Sequence, residues 1–220
     1  YLADPAMADH VWGGGYEVIT KGTYYGPQMA IAEKTNRITS VPHDVSADTY
    51  AAWDLGIGDN MAIWIFQKVG REYHFVNFYT NRGYGLEHYV DWVKSLPYHV
   101  NQHLVPHDAR ARELQTGQSR LEFLEKRGFR VTIVPNHKID DGINAVRNKF
   151  SAFWFDRDHC EEGLDCLRKY RAEFDETHGV QKTKPLHDSA SHGADAFRYA
   201  IMGQLAHFNA NWAGGKAHYY

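Results

Sequence analysis

The sequence predicts an α/β fold in which a mixed central sheet carries helices on both faces. Three observations predict it. From Thr49 the chain breaks into three consecutive strand-like apolar runs at glycine turns. Beyond them, helical and strand-like apolar spacings alternate, the order expected of a mixed sheet with helices packed on it. The 220 residues are 43% hydrophobic and 23% charged, which suffices for one sizeable core and matches neither a disordered chain nor a membrane protein.

Residues 1–48 are punctuated by Gly13, Gly14, Gly15, Gly22 and Gly26, with one helix predicted over 27–34, and read as a lead-in. Tyr50-Ala51-Ala52-Trp53-Asp54-Leu55 is the first strand, and a Gly-Ile-Gly-Asp turn leads to a second over 60–67. A third over 73–79 follows the turn at Gly70, so the block reads as an antiparallel three-strand meander. Leu86, Tyr89, Val90 and Val93 are spaced as one face of a helix ending near Pro97. Then come a short apolar run over 103–106, a helix over 119–127 closed by Gly128 as its cap, and a β-branched strand over 129–134. Helices are predicted over 140–149, 161–171 and 191–208, with the aromatic stretch Phe153-Trp154-Phe155 between the first two. The expected organisation is a single domain over 49–210, preceded by the lead-in 1–48 and followed by a flexible tail over 211–220. Because the chain begins at Tyr1 rather than methionine, it reads as a fragment of something larger.

Several classes are excluded by absence. No apolar run approaches the roughly 18 residues that span a bilayer, and no charged-then-apolar leader opens the sequence, so the expected location is intracellular. The spacing of Cys160 and Cys166 suits neither a disulfide framework nor a paired zinc motif, and both read as helix-face residues in a reducing compartment. There is no G-x-x-x-x-G-K-[ST], G-x-S-x-G, H-E-x-x-H or dinucleotide fingerprint. A formal charge of −3 does not advertise nucleic-acid binding, although bound metal ions or local basic clusters would override the net charge.

Three aspartates carry the chemistry. Asp54 lies in an apolar strand, where burying an unpartnered carboxylate costs on the order of several kcal/mol. Either it caps the following turn or it points off the sheet to a partner, and Asp59 is the better turn residue. Asp108 directly follows the apolar run 103–106, at a strand's C-terminal end where α/β folds collect ligands, or else it caps a turn. In Ser191-His192-Gly193-Ala194-Asp195, Ser191 reads as a helix N-cap, with His192 and Asp195 three apart on one face. That pair is either a metal corner or a dipole-complementing Asp beside a surface histidine. Together the three carboxylates match what two-metal phosphodiester cleavage needs, namely hard oxygen ligands on rigid elements that bridge Mg²⁺ or Mn²⁺.

Four motifs then give a resemblance that covers nearly all of the chain: Ala52-Trp53-Asp54-Leu55-Gly56-Ile57-Gly58-Asp59, Pro106-His107-Asp108-Ala109, Asp141-Gly142-Ile143-Asn144-Ala145-Val146-Arg147, and Ser191-His192-Gly193-Ala194-Asp195-Ala196-Phe197-Arg198-Tyr199. The sequence resembles the C-terminal nuclease domain of the large terminase subunit of tailed bacteriophages. Gly22-Thr23-Tyr24-Tyr25 is similar to the segment that joins the packaging ATPase to the nuclease in that family. The resemblance implies an RNase H-like fold and a two-metal endonuclease acting on concatemeric double-stranded viral DNA, with Asp54, Asp108 and Asp195 as the catalytic, metal-holding triad. It further implies a missing ATPase domain, a small terminase subunit and a capsid portal as partners, no membrane, and the cytoplasm of the infected host as the location. Asp59, Asp188 and His192 fit accessory positions, while Arg110, Arg112, Arg120, Lys126, Lys182 and Lys184 are candidates for phosphate contact or for an ordinary solvated face. Rival readings are a resolvase or transposase with the same triad, a non-catalytic module docking DNA or the portal, and a zinc protein using His187, His192 and the cysteines.

Overall fold

The computed structural model describes residues 22–56, 60–113, 117–175 and 180–214. In chain order it contains α1 (Gly26–Lys34), β1 (Ile38–Thr39), β2 (Thr49–Asp54), β3 (Met61–Val69), β4 (Glu72–Asn81), α2 (Leu86–Ser95) and β5 (Gln102–Val105). There follow α3 (Arg120–Lys126), β6 (Val131–Ile133), α4 (Ile139–Lys149), β7 (Phe153–Asp156), α5 (Glu161–Lys169), β8 (Ala172–Asp175), β9 (Val180–Pro185) and α6 (Ser189–Gly214). Seven strands form one sheet in the order β1-β7-β4-β3-β2-β5-β6. The predicted meander is its centre, with β3 antiparallel to both β2 and β4. All the outer pairings are parallel, so the sheet is mixed, as expected.

Alternation along the strands sorts side chains to two cores. Ala52, Ala62, Trp64 and Phe66 face one, under α1, α4, α5 and α6, whereas Ala51, Trp53, Ile63 and Ile65 face the other, under α2 and α3. Trp64 anchors the first. It is fully buried among Phe75, Phe78, Phe155 and Phe197, and its indole N–H donates to the Gly193 carbonyl at 2.8 Å, pinning the start of α6 to the sheet. Truncating such a side chain to alanine costs about 3–5 kcal/mol. On the other face α3 starts with a full capping box between Ser119 and Glu122, and the chain leaves it through Gly128 at φ +88°, the cap read from the sequence.

Three expectations change. The described part of the lead-in is built into the domain: Tyr25, Met29 and Ala32 are buried in the first core, and β1 adds to the sheet edge beside β7. The final helix starts at Ser189 and runs to Gly214, so residues 211–214 of the expected tail are helical. Its N-terminal cap is Asp188, whose Oδ1 accepts the Ala190 and Ser191 N–H groups, and not Ser191, whose hydroxyl donates to the Asp188 carbonyl. Finally, α5 ends at Lys169, and a two-stranded hairpin, β8–β9, occupies a stretch with no predicted element. Asp59 lies outside the described residues.

Candidate metal centre

Asp54 is the last residue of β2, and by alternation it shares the face of Ala52, beneath α6. There it meets His192 of the first turn of α6: His192 Nδ1 donates to Asp54 Oδ2 at 2.8 Å. Both side chains are sheltered, at 16% and 7% exposure. Burial raises the Asp54 pKa, opposed by the His192 hydrogen bond and reinforced by the charge of Asp195. A sheltered carboxylate is thus held near a second one.

Asp195 lies one turn along α6 from His192. Its Oδ1 accepts from Arg198 Nη2 at 2.8 Å and from the Tyr170 hydroxyl at 3.4 Å. Arg198 is itself fixed, because its Nη1 meets His137 Nε2 at 2.8 Å while His137 Nδ1 sits 2.9 Å from the Pro135 carbonyl. A carbonyl only accepts, so Nδ1 carries the proton and Nε2 receives the guanidinium N–H. Burial and the neighbouring Arg198 lower the His137 pKa, consistent with this neutral tautomer. Burial lowers the Arg198 pKa, but the charge and hydrogen bond of Asp195 together with Tyr199 and Tyr170 raise it, and the net shift is upward. The approach requires Gly142 of α4, where a Cβ would lie 2.4 Å from Arg198 Cδ and 2.9 Å from His137 Cδ2.

The parallel pairing of β5 with β2 brings Asp108 to the same end of the sheet, in a 3₁₀ turn (His107–Arg110) just beyond β5. Asp108 is exposed, and its carboxylate has no hydrogen bond or ion pair among the described residues. The three aspartates act together on Tyr199 of α6, whose pKa is pushed up to about 12, by burial first and, against the opposing pull of Arg198, by Asp195, Asp54 and Asp108. Asp54 Oδ1 and Asp195 Oδ2 have no hydrogen-bond partner among the described residues, which leaves one hard oxygen on each for a cation. Among the described residues, no group of three or more His, Cys, Asp or Glu side chains stands arranged so that it could hold a metal ion by itself.

The basic candidates divide. Arg120 turns inward, donating to the Leu55 carbonyl at 3.1 Å and pairing with Glu113 at 3.6 Å, so it ties the start of α3 to the end of β2. Lys182 pairs with Glu173 across the hairpin at 2.6 Å. Arg110, Arg112, Lys126 and Lys184 are exposed, Arg112 with a loose 3.5 Å contact to Glu122. Asp188 caps α6 and lies 3.7 Å from Arg171. Sequence reasoning assigned no role to Arg198, Tyr199, Tyr170 or His137. The first two stand three and four residues after Asp195, a spacing that places them beside it on the helix, whereas nothing in the sequence marks His137 or Tyr170.

No family model matches the sequence, and no curated protein matches it. Solved structures do. The chain superposes on a large terminase from a thermophilic bacteriophage with a TM-score of 0.59 at 19% identity, over 76% of this chain and 42% of that one. It superposes on the P22 large terminase nuclease domain with a TM-score of 0.57 at 18% identity, over 77% of this chain and 89% of that one. The fold is that of a large-terminase nuclease domain. The RNase H-like architecture expected from the resemblance is thus borne out. The large terminase nuclease of another thermophilic phage, G20c, solved with cobalt or magnesium bound, matches at a TM-score of 0.56 and 12% identity over 83% of this chain and 97% of that one. This chain therefore spans less than half of the first of these large terminases but nearly the whole of the isolated terminase nuclease domains.

Proposed function

We propose that this chain is the nuclease domain of a tailed-bacteriophage large terminase, a divalent-metal-dependent endodeoxyribonuclease that cleaves double-stranded viral DNA concatemers during packaging. The observation that carries this reading is the convergence of Asp54 from β2 and Asp195 from α6 at one end of the sheet, each with an uncommitted oxygen, where β5 also delivers Asp108. In this reading the three aspartates hold two Mg²⁺ or Mn²⁺ ions. Such ions would supply Lewis acidity to activate water and stabilise the leaving oxygen.

The chain's own residues hold the ligands still. His192 fixes one oxygen of Asp54 and leaves the other without a hydrogen-bond partner among the described residues. Arg198, only 5% exposed, is committed to Asp195 and His137, which makes it a positioning residue rather than a phosphate clamp. Arg110 and Arg112, exposed two and four residues after Asp108, would meet the DNA backbone without reading base sequence. The partners of this reading are an ATPase domain outside this chain, a small terminase subunit and the capsid portal, in the host cytoplasm.

The test is cleavage of supercoiled plasmid across a series of divalent cations, with a chelator control and the Asp195→Asn variant in parallel. The reading expects metal-dependent nicking and linearisation that progress to a smear and that the variant lacks. Metal-independent cutting, or an Asp195→Asn variant as active as wild type, would overturn it.

A further inference from the structure

At the other end of the strands from the three aspartates, where β5 and β6 begin, lies a cavity of about 220 Å³. Ten residues line it and none is a carboxylate, in a chain whose net charge is −3. Two of them, Lys94 and Arg130, are exposed cations with no ion pair among the described residues. Lys94 Nζ lies 5.8 Å from the centre of the Phe129 ring, and the two side chains give the cavity a positive lining that attracts an anion.

The wall of the cavity adds donors. His103 is 1% exposed and stacks on Phe129 at 4.0 Å and 9°. Its Nδ1 lies 3.2 Å from the Trp53 indole nitrogen, and an indole N–H only donates, so Nδ1 is unprotonated and Nε2 bears the proton. Burial first, and the charge of His99 second, hold the His103 pKa down to about 3, so the ring stays neutral in this tautomer. The Nε2–H has no hydrogen-bond partner among the described residues. Asn101 spends its side-chain oxygen on the Thr49 N–H at 2.8 Å, which leaves its amide NH₂ as a further donor.

We propose that this cavity is an oxyanion site that takes a single phosphate group through His103 Nε2–H, the Asn101 amide, Lys94 and Arg130. Its volume is below the roughly 300–1,000 Å³ of sites for drug-sized ligands, so it suits one phosphate group with its waters and not a whole nucleotide. Free inorganic phosphate and a backbone phosphate of DNA offer the same chemistry. The DNA source rests on the nuclease reading; the free-phosphate source does not.

Two measurements test it, each on the wild type and on the double variant Lys94→Gln, Arg130→Gln. The first is thermal melting in sodium phosphate against sodium chloride at matched ionic strength. A free-phosphate site gives a wild-type rise of about 2–4 °C that the double variant lacks. The second is the salt dependence of binding to a short DNA duplex with Ca²⁺ in place of a catalytic ion. A backbone-phosphate site flattens the slope of log affinity against log salt by about 1 in the double variant. Either response supports the site and names its source. Identical melting in phosphate and chloride together with an unchanged slope would overturn it. Asp54→Asn retains the phosphate response even where cutting is lost, so this proposal and the nuclease reading fail separately.

Discussion

The two halves of the candidate metal centre are built differently. On the α6 side, Asp54 and Asp195 are sheltered, and each is tied through one oxygen to a partner that is itself buried: His192 for Asp54, and Arg198, backed by His137, for Asp195. On the β5 side, Asp108 stands exposed on a single 3₁₀ turn with no such support among the described residues. In the proposed reading, folding alone preorganises two of the three ligands, at the cost of holding like charges together in a sheltered setting. The third stays in water, where its charge costs little until a cation draws it in.

The largest expected effect is on catalysis. Replacing Asp54 or Asp195 by Asn should lower plasmid cleavage by about a thousandfold or more, as loss of a ligand to an ion that stabilises the transition state does. The comparison sharpens in the metal-free melts. Asp54→Asn should raise the melting temperature, since it removes a buried charge, whereas Asp108→Asn should leave it unchanged. A stabilised Asp108→Asn would place the strain on the wrong half of the site.

Next in size is the support of Asp195. Changing Arg198 to Lys, or His137 to Ala, should weaken Mn²⁺ affinity by about 10- to 100-fold, the usual effect of losing a ligand's outer partner. Gly142→Ala should do the same through packing, because its Cβ would fall 2.4 Å from Arg198 Cδ; the overpacking should also cost about 1–3 kcal/mol of stability. A Gly142→Ala protein with wild-type stability and Mn²⁺ affinity would show that the α4–α6 contact yields without disturbing Asp195.

A smaller effect follows from pH. The folded pKa of Asp54 is raised, so the fold binds its proton more tightly than the unfolded chain does. The contribution to metal-free stability is therefore full below the unfolded carboxylate value of about 3.9 and is lost as pH rises through the raised folded value. The stability difference between Asp54→Asn and wild type should accordingly widen toward neutral pH. A pH-independent difference in chemical denaturation would contradict the burial account. The smallest expected change is at Asp188: as the α6 cap, its replacement by Ala should cost about 1 kcal/mol and leave cleavage nearly intact.

Much of this was legible in the sequence where side-chain periodicity is strong. The meander, α2 and the Ser119 to Gly128 helix with its caps announce themselves by apolar spacing and cap residues, and Asp54 stands out as a charge set in an apolar run, whereas Asp108 and Asp195 carry weaker signals, one after an apolar run and one at a helix start. The β8–β9 hairpin did not, because a two-stranded ribbon outside the main sheet buries too little to impose an alternating pattern. Nor did the role of residues 22–41, whose glycines suggested a linker while Tyr25, Met29 and Ile38 were core residues. Within the site, Arg198 and Tyr199 were readable from their spacing to Asp195. His137 was not, because it reaches Arg198 across 61 residues and its role depends on a backbone carbonyl that fixes its tautomer.

The central claim is that Asp54 and Asp195 form a prebuilt half-site and Asp108 the recruited ligand. Calorimetric titration of Mn²⁺ into the wild type and the three single Asn variants, without DNA, tests it most directly. The account predicts that Asp54→Asn and Asp195→Asn each abolish measurable binding while Asp108→Asn weakens it but leaves it detectable. Wild-type Mn²⁺ affinity in Asp54→Asn or Asp195→Asn, or loss of binding in Asp108→Asn alone, would contradict it.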